Sequence, residues 1–383
     1  MRAIATTITG LEDIASEEVS SIVKRSAEPD ISKVFVDCSL EELVKLVLAS
    51  RGVNKVLLEL LRASVHDLSE IGREVRSLDL EGVLSPDQTF AVRAERIGIH
   101  EFTSLDIASA VGSAIVHSYQ SSRGVRLRVD LRRPDVEFHA LLRGDQFTLG
   151  VNLVGRSLQR RFYRIAHHRA SLPATLAYLM VRYSGWSREQ VLVDPFCGSG
   201  TIPIEAGLAG LNVCPTVYKD PRELALNKLR FIDREVFESV RDELVCSEFR
   251  DAALRIFGSD LSLKALDAAK KNIETARLSG KVVIERIDAL NFEYRSKCRE
   301  LGAKVFVVTD PPFGIRSGPS DPFDFYVRAF SSIRKGIGGG RLLAIFSKQA
   351  VALRAIQEAG WTVIETRKIK YGHLEALMVK AAT

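Results

Sequence analysis

Beyond Ser171 the sequence alternates short apolar runs with segments of helical period, and that alternation constrains the fold more than any other feature. The runs lie at residues 191–193, 255–258, 282–286, 305–309 and 342–346, each followed by a helical stretch, with a closing hairpin at 363–369 and 375–379. Apolar runs separated by helices read as strands of a parallel sheet covered on both faces, so this half is predicted to be α/β. Residues 211–254 are rich in charge and helix formers and too long for a simple crossover, so an inserted helical segment is expected there.

The preceding residues read differently. A first module, residues 1–63, shows strands at 4–8, 34–36 and 56–61 with helices at 13–24 and 40–49, a small α+β unit. A second, residues 64–155, opens with a polar helical stretch at 67–87 and a strand at 90–96. A long helix follows, capped by Thr103, ending near Gly124 and apolar at Ile107, Val111, Ala114 and Ile115. Strands at 125–131, 136–142 and 146–153 joined by turns complete it, and residues 156–170 form a linker to a domain at 171–383. At 383 residues and 46% hydrophobic composition the chain exceeds one core and can fill several.

No apolar run reaches membrane-spanning length and the N-terminus lacks a signal-peptide core, so a cytoplasmic protein without a membrane partner is expected. Five scattered cysteines, Cys38, Cys197, Cys214, Cys246 and Cys298, suit neither a disulfide framework nor a zinc knuckle. His167 and His168 have no acidic or Cys partner at ligand spacing, and the expectation is no metal. Nothing points to an obligate protein partner. A net charge of +6 permits a polyanionic partner without demanding one.

Four strand ends carry the chemistry. Val191-Leu192-Val193-Asp194-Pro195-Phe196-Cys197-Gly198-Ser199-Gly200-Thr201 is a buried strand running into a glycine loop and a helix. It lacks the third glycine of a dinucleotide loop and the lysine of a P-loop, which suits an uncharged ligand lying against bare backbone. The next strand ends at Asp260-Leu261, an acid placed to accept from a ribose diol, and the third at Asp288-Ala289, either an acceptor for an adenine amine or a solvated turn. The fourth ends in Asp310-Pro311-Pro312-Phe313. Two prolines stiffen this corner, so the Asp310 carboxylate and the Pro311 carbonyl can hold both N–H groups of an exocyclic amine while Phe313 stacks on its base. Acceptors fixed where positive charge develops favour methyl transfer from a sulfonium without a metal or covalent nucleophile.

With these motifs in place, the chain resembles the THUMP-domain tRNA guanine-N2-methyltransferases, specifically the acceptor-stem group with an extra N-terminal ferredoxin-like domain. The Asp194–Thr201 loop with its continuation Ile202-Pro203-Ile204-Glu205-Ala206 is similar to that family's cofactor loop, and residues 310–313 to its amino-methylation motif. The region with Asp130, Pro134, Asp135 and Leu149-Gly150 resembles the THUMP module. The resemblance implies a Rossmann-like class I methyltransferase domain behind ferredoxin-like and THUMP domains, S-adenosylmethionine as cofactor, and methylation of guanosine 6 of tRNA. Cofactor contacts are then implied at Asp194, Pro195, Cys197, Gly198, Ser199, Gly200, Thr201, Asp260, Leu261, Asp288, Ala289 and Asp310, with Ser171 and Leu172 in a segment closing over the site. Phe313 departs from the tyrosine frequent in amino-methyltransferases, which keeps stacking and removes a hydroxyl.

Arginines crowd the second module and linker, and Arg126, Arg128, Arg156, Arg160, Arg161 and Arg164 are expected to form a phosphate track. N2 of a stem guanine is paired, so the base must be splayed out before Asp310 can reach it. The competing readings are methylation of another tRNA guanosine, such as guanosine 10, or of a ribosomal RNA guanosine, and a non-catalytic RNA-binding protein retaining a vestigial fold. Adenine-N6 and protein glutamine methylation use a similar corner, but the arginine-rich module makes a protein substrate less attractive.

Overall fold

The computed structural model describes residues 1–166, 171–292, 304–312, 321–347 and 349–383. The N-terminal module runs β1 (Arg2–Thr6), α1 (Glu12–Val23), β2 (Glu28–Asp30), β3 (Lys33–Asp37), α2 (Leu40–Ala49) and β4 (Lys55–Ser64). β1 pairs antiparallel with both β3 and β4, and β2 edges β3, giving the ferredoxin-like order β2-β3-β1-β4. The three-residue β2 contains Pro29 and is too short for a periodicity signal, which is why the sequence pattern misses it. α2 starts where Ser39 and Glu42 form a reciprocal capping box.

The second module comprises α3 (Leu68–Arg76), β5 (Thr89–Ile97), α4 (Ser104–Arg123), β6 (Arg128–Val129), β7 (Val136–Arg143) and β8 (Gln146–Asn152). α4 begins in the predicted Thr103 cap and stops at Gly124, which adopts the left-handed conformation. Two expectations need correction. The helix expected across 67–87 ends at Arg76, and the strand expected at 125–131 shrinks to two residues lying parallel to β5, with no hairpin to β7. Only Leu127 of that stretch is buried, so little apolar surface holds it in a ladder.

The two modules are not separate. β4 pairs with β8, so one sheet of order β2-β3-β1-β4-β8-β7-β5-β6 spans both. β4 pairs in its first half with β1 and along its length with β8, a role that its local sequence cannot announce.

The last domain holds α5 (Ala174–Ser184), β9 (Val191–Asp194), α6 (Thr201–Gly210), α7 (Arg234–Cys246), β10 (Arg255–Ser259), α8 (Leu263–Thr275), β11 (Val282–Glu285), β12 (Val305–Thr309), α9 (Pro322–Ile337), β13 (Arg341–Phe346), α10 (Gln349–Glu358), β14 (Thr362–Tyr371) and β15 (Leu374–Ala382). Its sheet runs β11-β10-β9-β12-β13-β15-β14, parallel except for β15 against both of its neighbours. Alternate residues serve opposite faces: Val191, Val193, Leu342 and Ala344 join the cluster of Phe330, Ile333 and Ile356, whereas Leu192, Leu343 and Ile345 face Leu176, Leu179 and Ile204. That second cluster continues through Leu43 and Val47 into the N-terminal module. The inserted segment forms three short 3-10 turns and α7, and Lys45 of α2 is paired with Glu243 of α7 at 2.6 Å. None of the described helices is long and apolar enough to cross a membrane.

Candidate active site

After β9 the chain moves outward through β10 to β11, then returns to lay β12 on the other side of β9. This reversal opens a crevice at the carboxyl ends of β9 and β12, the place where doubly wound sheets take ligands. Asp194 ends β9 and Asp310 follows β12, so both acids stand at this switch point. The Thr309 hydroxyl donates to Asp194 Oδ1 at 2.7 Å, tying the strands together across it.

The glycine loop is stitched to its neighbours. Cys197 N–H donates to Ser259 O at 2.9 Å and Gly198 N–H to Asp260 Oδ2 at 3.0 Å, so the predicted loop and the predicted ribose acid are joined directly. Gly198 has φ of +51°, and a Cβ placed there would meet nothing within 4 Å, so the left-handed backbone faces open space. The other oxygen of Asp260 accepts from Ser262 N–H at 2.8 Å, and Ser262 caps α8. Asp288 caps the short turn containing Ala289, accepting from Leu290 N–H at 2.9 Å. Leu261 is exposed beside Asp260, as is Leu263 at the start of α8.

Several predicted contacts lie beneath the loop and shape it. Asp194, Pro195, Cys197, Ser199, Gly200 and Thr201 are buried. Ser171 Oγ is 2.9 Å from Ser199 Oγ, and the buried Leu172 offers its carbonyl to Arg164. A backbone open at Gly198 with acids at three successive strand ends fits an adenosyl ligand: Asp260 retains lone pairs for ribose hydroxyls, and the loop presents no cation that would call for a phosphate.

Asp310 is the site's unbalanced group. Among the described residues its Oδ1 is buried with no hydrogen-bond partner. The residue as a whole is half-buried, but this oxygen has no access to water. Burial, and then the neighbouring Asp194 charge, push its carboxyl up to about 8. Asp194 is itself pushed up to about 7 by burial and by the Asp260 charge, against the hydrogen bonds from Thr309 and Phe196. Pro311 is buried and Pro312 half-buried, and the Tyr326 hydroxyl donates to Pro312 O at 2.9 Å, pinning the corner from α9. Phe313 lies outside the described residues, as do His167 and His168.

The arginine track is corrected in part. Arg126, Arg128, Arg156 and Arg160 are exposed. Arg161 is not available to RNA: its side chain and that of Glu205 are both 0% exposed, joined through Nε to Oε1 at 2.9 Å and Nη2 to Oε2 at 3.0 Å. Its remaining donors reach Leu158 O and Arg51 O, and Tyr163 donates to Glu205 at 2.7 Å. Arg164 is half-buried, with Nη2 donating to Leu172 O and to Thr201 Oγ1 at 3.0 Å, so it braces the cofactor loop. A charged group whose donors are all satisfied inside the fold has none left for a phosphate.

Residues that the sequence reading missed complete the frame. Asn272, 1% exposed on α8, donates to Ser199 O and Ala166 O and accepts from Ala166 N–H, clamping the loop to the linker. Its one signal in the sequence is that it shares a helix face with Ala269, Ile273 and Ala276. Arg51, also buried, crosses from the N-terminal module to Val213 O and Asn212 Oδ1, and its own backbone N–H is held by Glu18.

Residues 161–378 match the family described as RMKL-like, methyltransferase domain, and residues 65–152 match the THUMP domain. The chain is 30% identical to the tRNA (guanine(6)-N2)-methyltransferase of Methanocaldococcus jannaschii over 95% of each chain. It is 31% identical to the protein of the same name from Archaeoglobus fulgidus, over 98% of this chain and 90% of that one. Among solved structures, TrmN from Thermus thermophilus superposes with a TM-score of 0.72 at 25% identity, covering 100% of this chain and 99% of that one. This chain therefore belongs to the RMKL-like methyltransferase family, in the arrangement that carries a THUMP domain ahead of the methyltransferase domain.

Proposed function

We propose that the chain is an S-adenosylmethionine-dependent tRNA methyltransferase that modifies the exocyclic N2 of guanosine 6 in the acceptor stem. The observation that carries the chemistry is Asp310 Oδ1, a buried oxygen without a partner among the described residues, beside a cofactor-type glycine loop. The two archaeal relatives, matched nearly end to end, support the substrate and position.

When bound, S-adenosylmethionine would supply a methyl carbon made electrophilic by its sulfonium, with the sulfur leaving as a neutral thioether when its bond to that carbon breaks. Gly198, Asp260, Asp288 and the Ser171–Leu172 segment hold that ligand in this reading. The Asp310 carboxylate and the Pro311 carbonyl accept the two N–H groups of the splayed guanine, which turns the nitrogen lone pair away from the ring and toward the methyl. Positive charge appears on nitrogen as the new bond forms, and an acceptor already fixed there stabilises it without reorganisation. A carboxyl raised to about 8 is basic enough to take the proton that the methylated nitrogen releases. Tyr326 keeps the corner from yielding by holding Pro312.

We assign residues 1–63 to a ferredoxin-like domain, 64–155 to the THUMP domain that docks tRNA, 156–170 to the linker and 171–383 to catalysis, acting in the cytoplasm. The exposed Arg126, Arg128, Arg156 and Arg160 serve as phosphate contacts. The test is incubation of purified tRNA with the chain and the cofactor, followed by nucleoside mass mapping. N2-methylguanosine at position 6, lost in Asp310→Ala, is expected; methylation at another nucleotide refutes the position, and no transfer to tRNA refutes the function.

A further inference from the structure

Residues 1–64 and 153–160 fall outside both matched families. They nevertheless build most of a cleft of about 430 Å³. Asn54 and Lys55 of the N-terminal module, Ser157 and Gln159 of the linker, Pro173 at the head of α5 and Tyr371 at the tip of the β14–β15 hairpin line it.

Two observations place this cleft beside the active site, and a third fixes its walls. Pro173 lies two residues beyond Ser171, whose hydroxyl meets Ser199 of the glycine loop. Burial and then the Asp310 charge raise the Tyr371 hydroxyl to about 12, so this end of the cleft lies within electrostatic range of the amine corner. The hairpin that carries it is bolted to the N-terminal module by a backbone bridge from Thr9 to Lys370 and by the Arg367–Asp13 ion pair at 2.6 Å, which fixes the spacing of the two walls.

We infer that this cleft binds the substrate RNA strand at the nucleotide next to the methylated guanosine, an inference that rests on the functional reading above. The volume lies within the roughly 300–1,000 Å³ span of small-ligand sites and suits one nucleotide. A base splayed from a stem leaves its neighbour unstacked, and the Tyr371 ring offers that neighbour a replacement surface. Lys55 supplies the cation, with Ser157 and Gln159 as polar partners for ribose and phosphate. Glu137 orients Lys55 through Oε1 at 2.9 Å and also holds Arg93 at 3.2 Å, so two cations share one carboxylate and the cluster keeps a net positive charge. The N-terminal module is then a wall of the substrate site.

Lys55→Gln removes the charge and keeps an amide for Glu137; Gln159→Glu, at an exposed position, adds a repelling charge. Lys335→Gln, in the last turn of α9 at the far end of the sheet, is the control. Binding of the tRNA substrate is measured across 50–200 mM salt, with melting temperature and calorimetric cofactor affinity confirming an intact fold. Loss of one phosphate contact makes the slope of log affinity against log salt shallower by about 0.7–0.9, which is about threefold less affinity lost over that range. That change in Lys55→Gln, weaker binding by Gln159→Glu that recovers in high salt, and an unaltered control are the expected result. If Lys55→Gln melts early, Gln159→Glu carries the test alone. Wild-type binding and slope in both variants of a chain that still methylates tRNA would overturn the cleft assignment alone; a wild-type chain that fails to methylate tRNA would overturn the functional reading and this inference with it.

Discussion

Replacing Asp310 by Asn keeps the shape of the side chain and deletes its titration, so the energetic consequence of burying this acid can be read directly. Its carboxyl moves from 3.8 to about 8, so between these values the folded chain holds a proton that the unfolded chain has released. The stabilising contribution is complete below the unfolded value and is lost as pH rises through the folded one. Integrating the difference in bound protons, wild type loses about 4 kcal/mol between pH 4.5 and pH 8, whereas Asn at this position loses none. Asn carries its own cost for buried amide donors, about 1–3 kcal/mol, but that cost does not vary with pH. The swing therefore survives even though the absolute offset is variable. At roughly 2 °C per kcal/mol for a chain of this size, the melting temperature of Asp310→Asn should gain about 8 °C on wild type from pH 4.5 to pH 8. Thermal melts of both proteins without cofactor, at matched ionic strength, measure this. Methyl transfer should fall by about 10²–10³, the usual effect of deleting one preorganised group. A gap that does not change with pH, or one that closes as pH rises, would refute the claim that Asp310 is a strained, buried acid; full activity in the variant would refute its role.

The kcat/KM for tRNA should climb about tenfold per pH unit below about pH 8 and level off above it, since the acceptor must be ionised in the free enzyme; a flat pH–rate profile contradicts this. Arg161→Met should destabilise the fold by about 3–5 kcal/mol by stranding Glu205, and Arg161→Met with Glu205→Met should recover much of that loss in denaturant melts, whereas a phosphate contact would show itself in salt dependence instead. Gly198→Ala, at φ of +51°, should weaken cofactor binding measured by calorimetry while lowering stability by only about 1–2 kcal/mol; unchanged affinity would remove the loop from the cofactor site. Gly10→Ala should loosen the C-terminal hairpin from the N-terminal module, because a Cβ there would strike the Lys368 carbonyl oxygen; faster amide exchange across β14 is the readout, and unchanged exchange counts against the clamp.

Much of this molecule was legible before any coordinates. Strand ends are local events, and residues 191–201, 258–261 and 305–312 announce both strand and turn through a buried apolar run halted by glycine, acid or proline. Ser39, Thr103 and Gly124 mark helix ends through bonds to backbone only a few residues away, and the cap at Thr103 was read correctly for that reason. The two-residue β6 marks the opposite case: two arginines alternating with apolar residues imitate a strand, but without a buried face the ladder does not extend.

The sequence by itself determined the elements of the catalytic sheet, the three acids that end its strands, and the stiff diproline corner, because each depends on neighbours along the chain. Tertiary structure alone decided that one sheet joins the two N-terminal modules, that Arg161 is an internal strut and not an RNA contact, and that Asn272 and Tyr326 hold the loops. Those outcomes turn on partners such as Glu205, 44 residues from Arg161. An arginine in a basic stretch has the same local pattern whether it meets a phosphate or a buried carboxylate, and only the folded chain supplies the partner that separates the two.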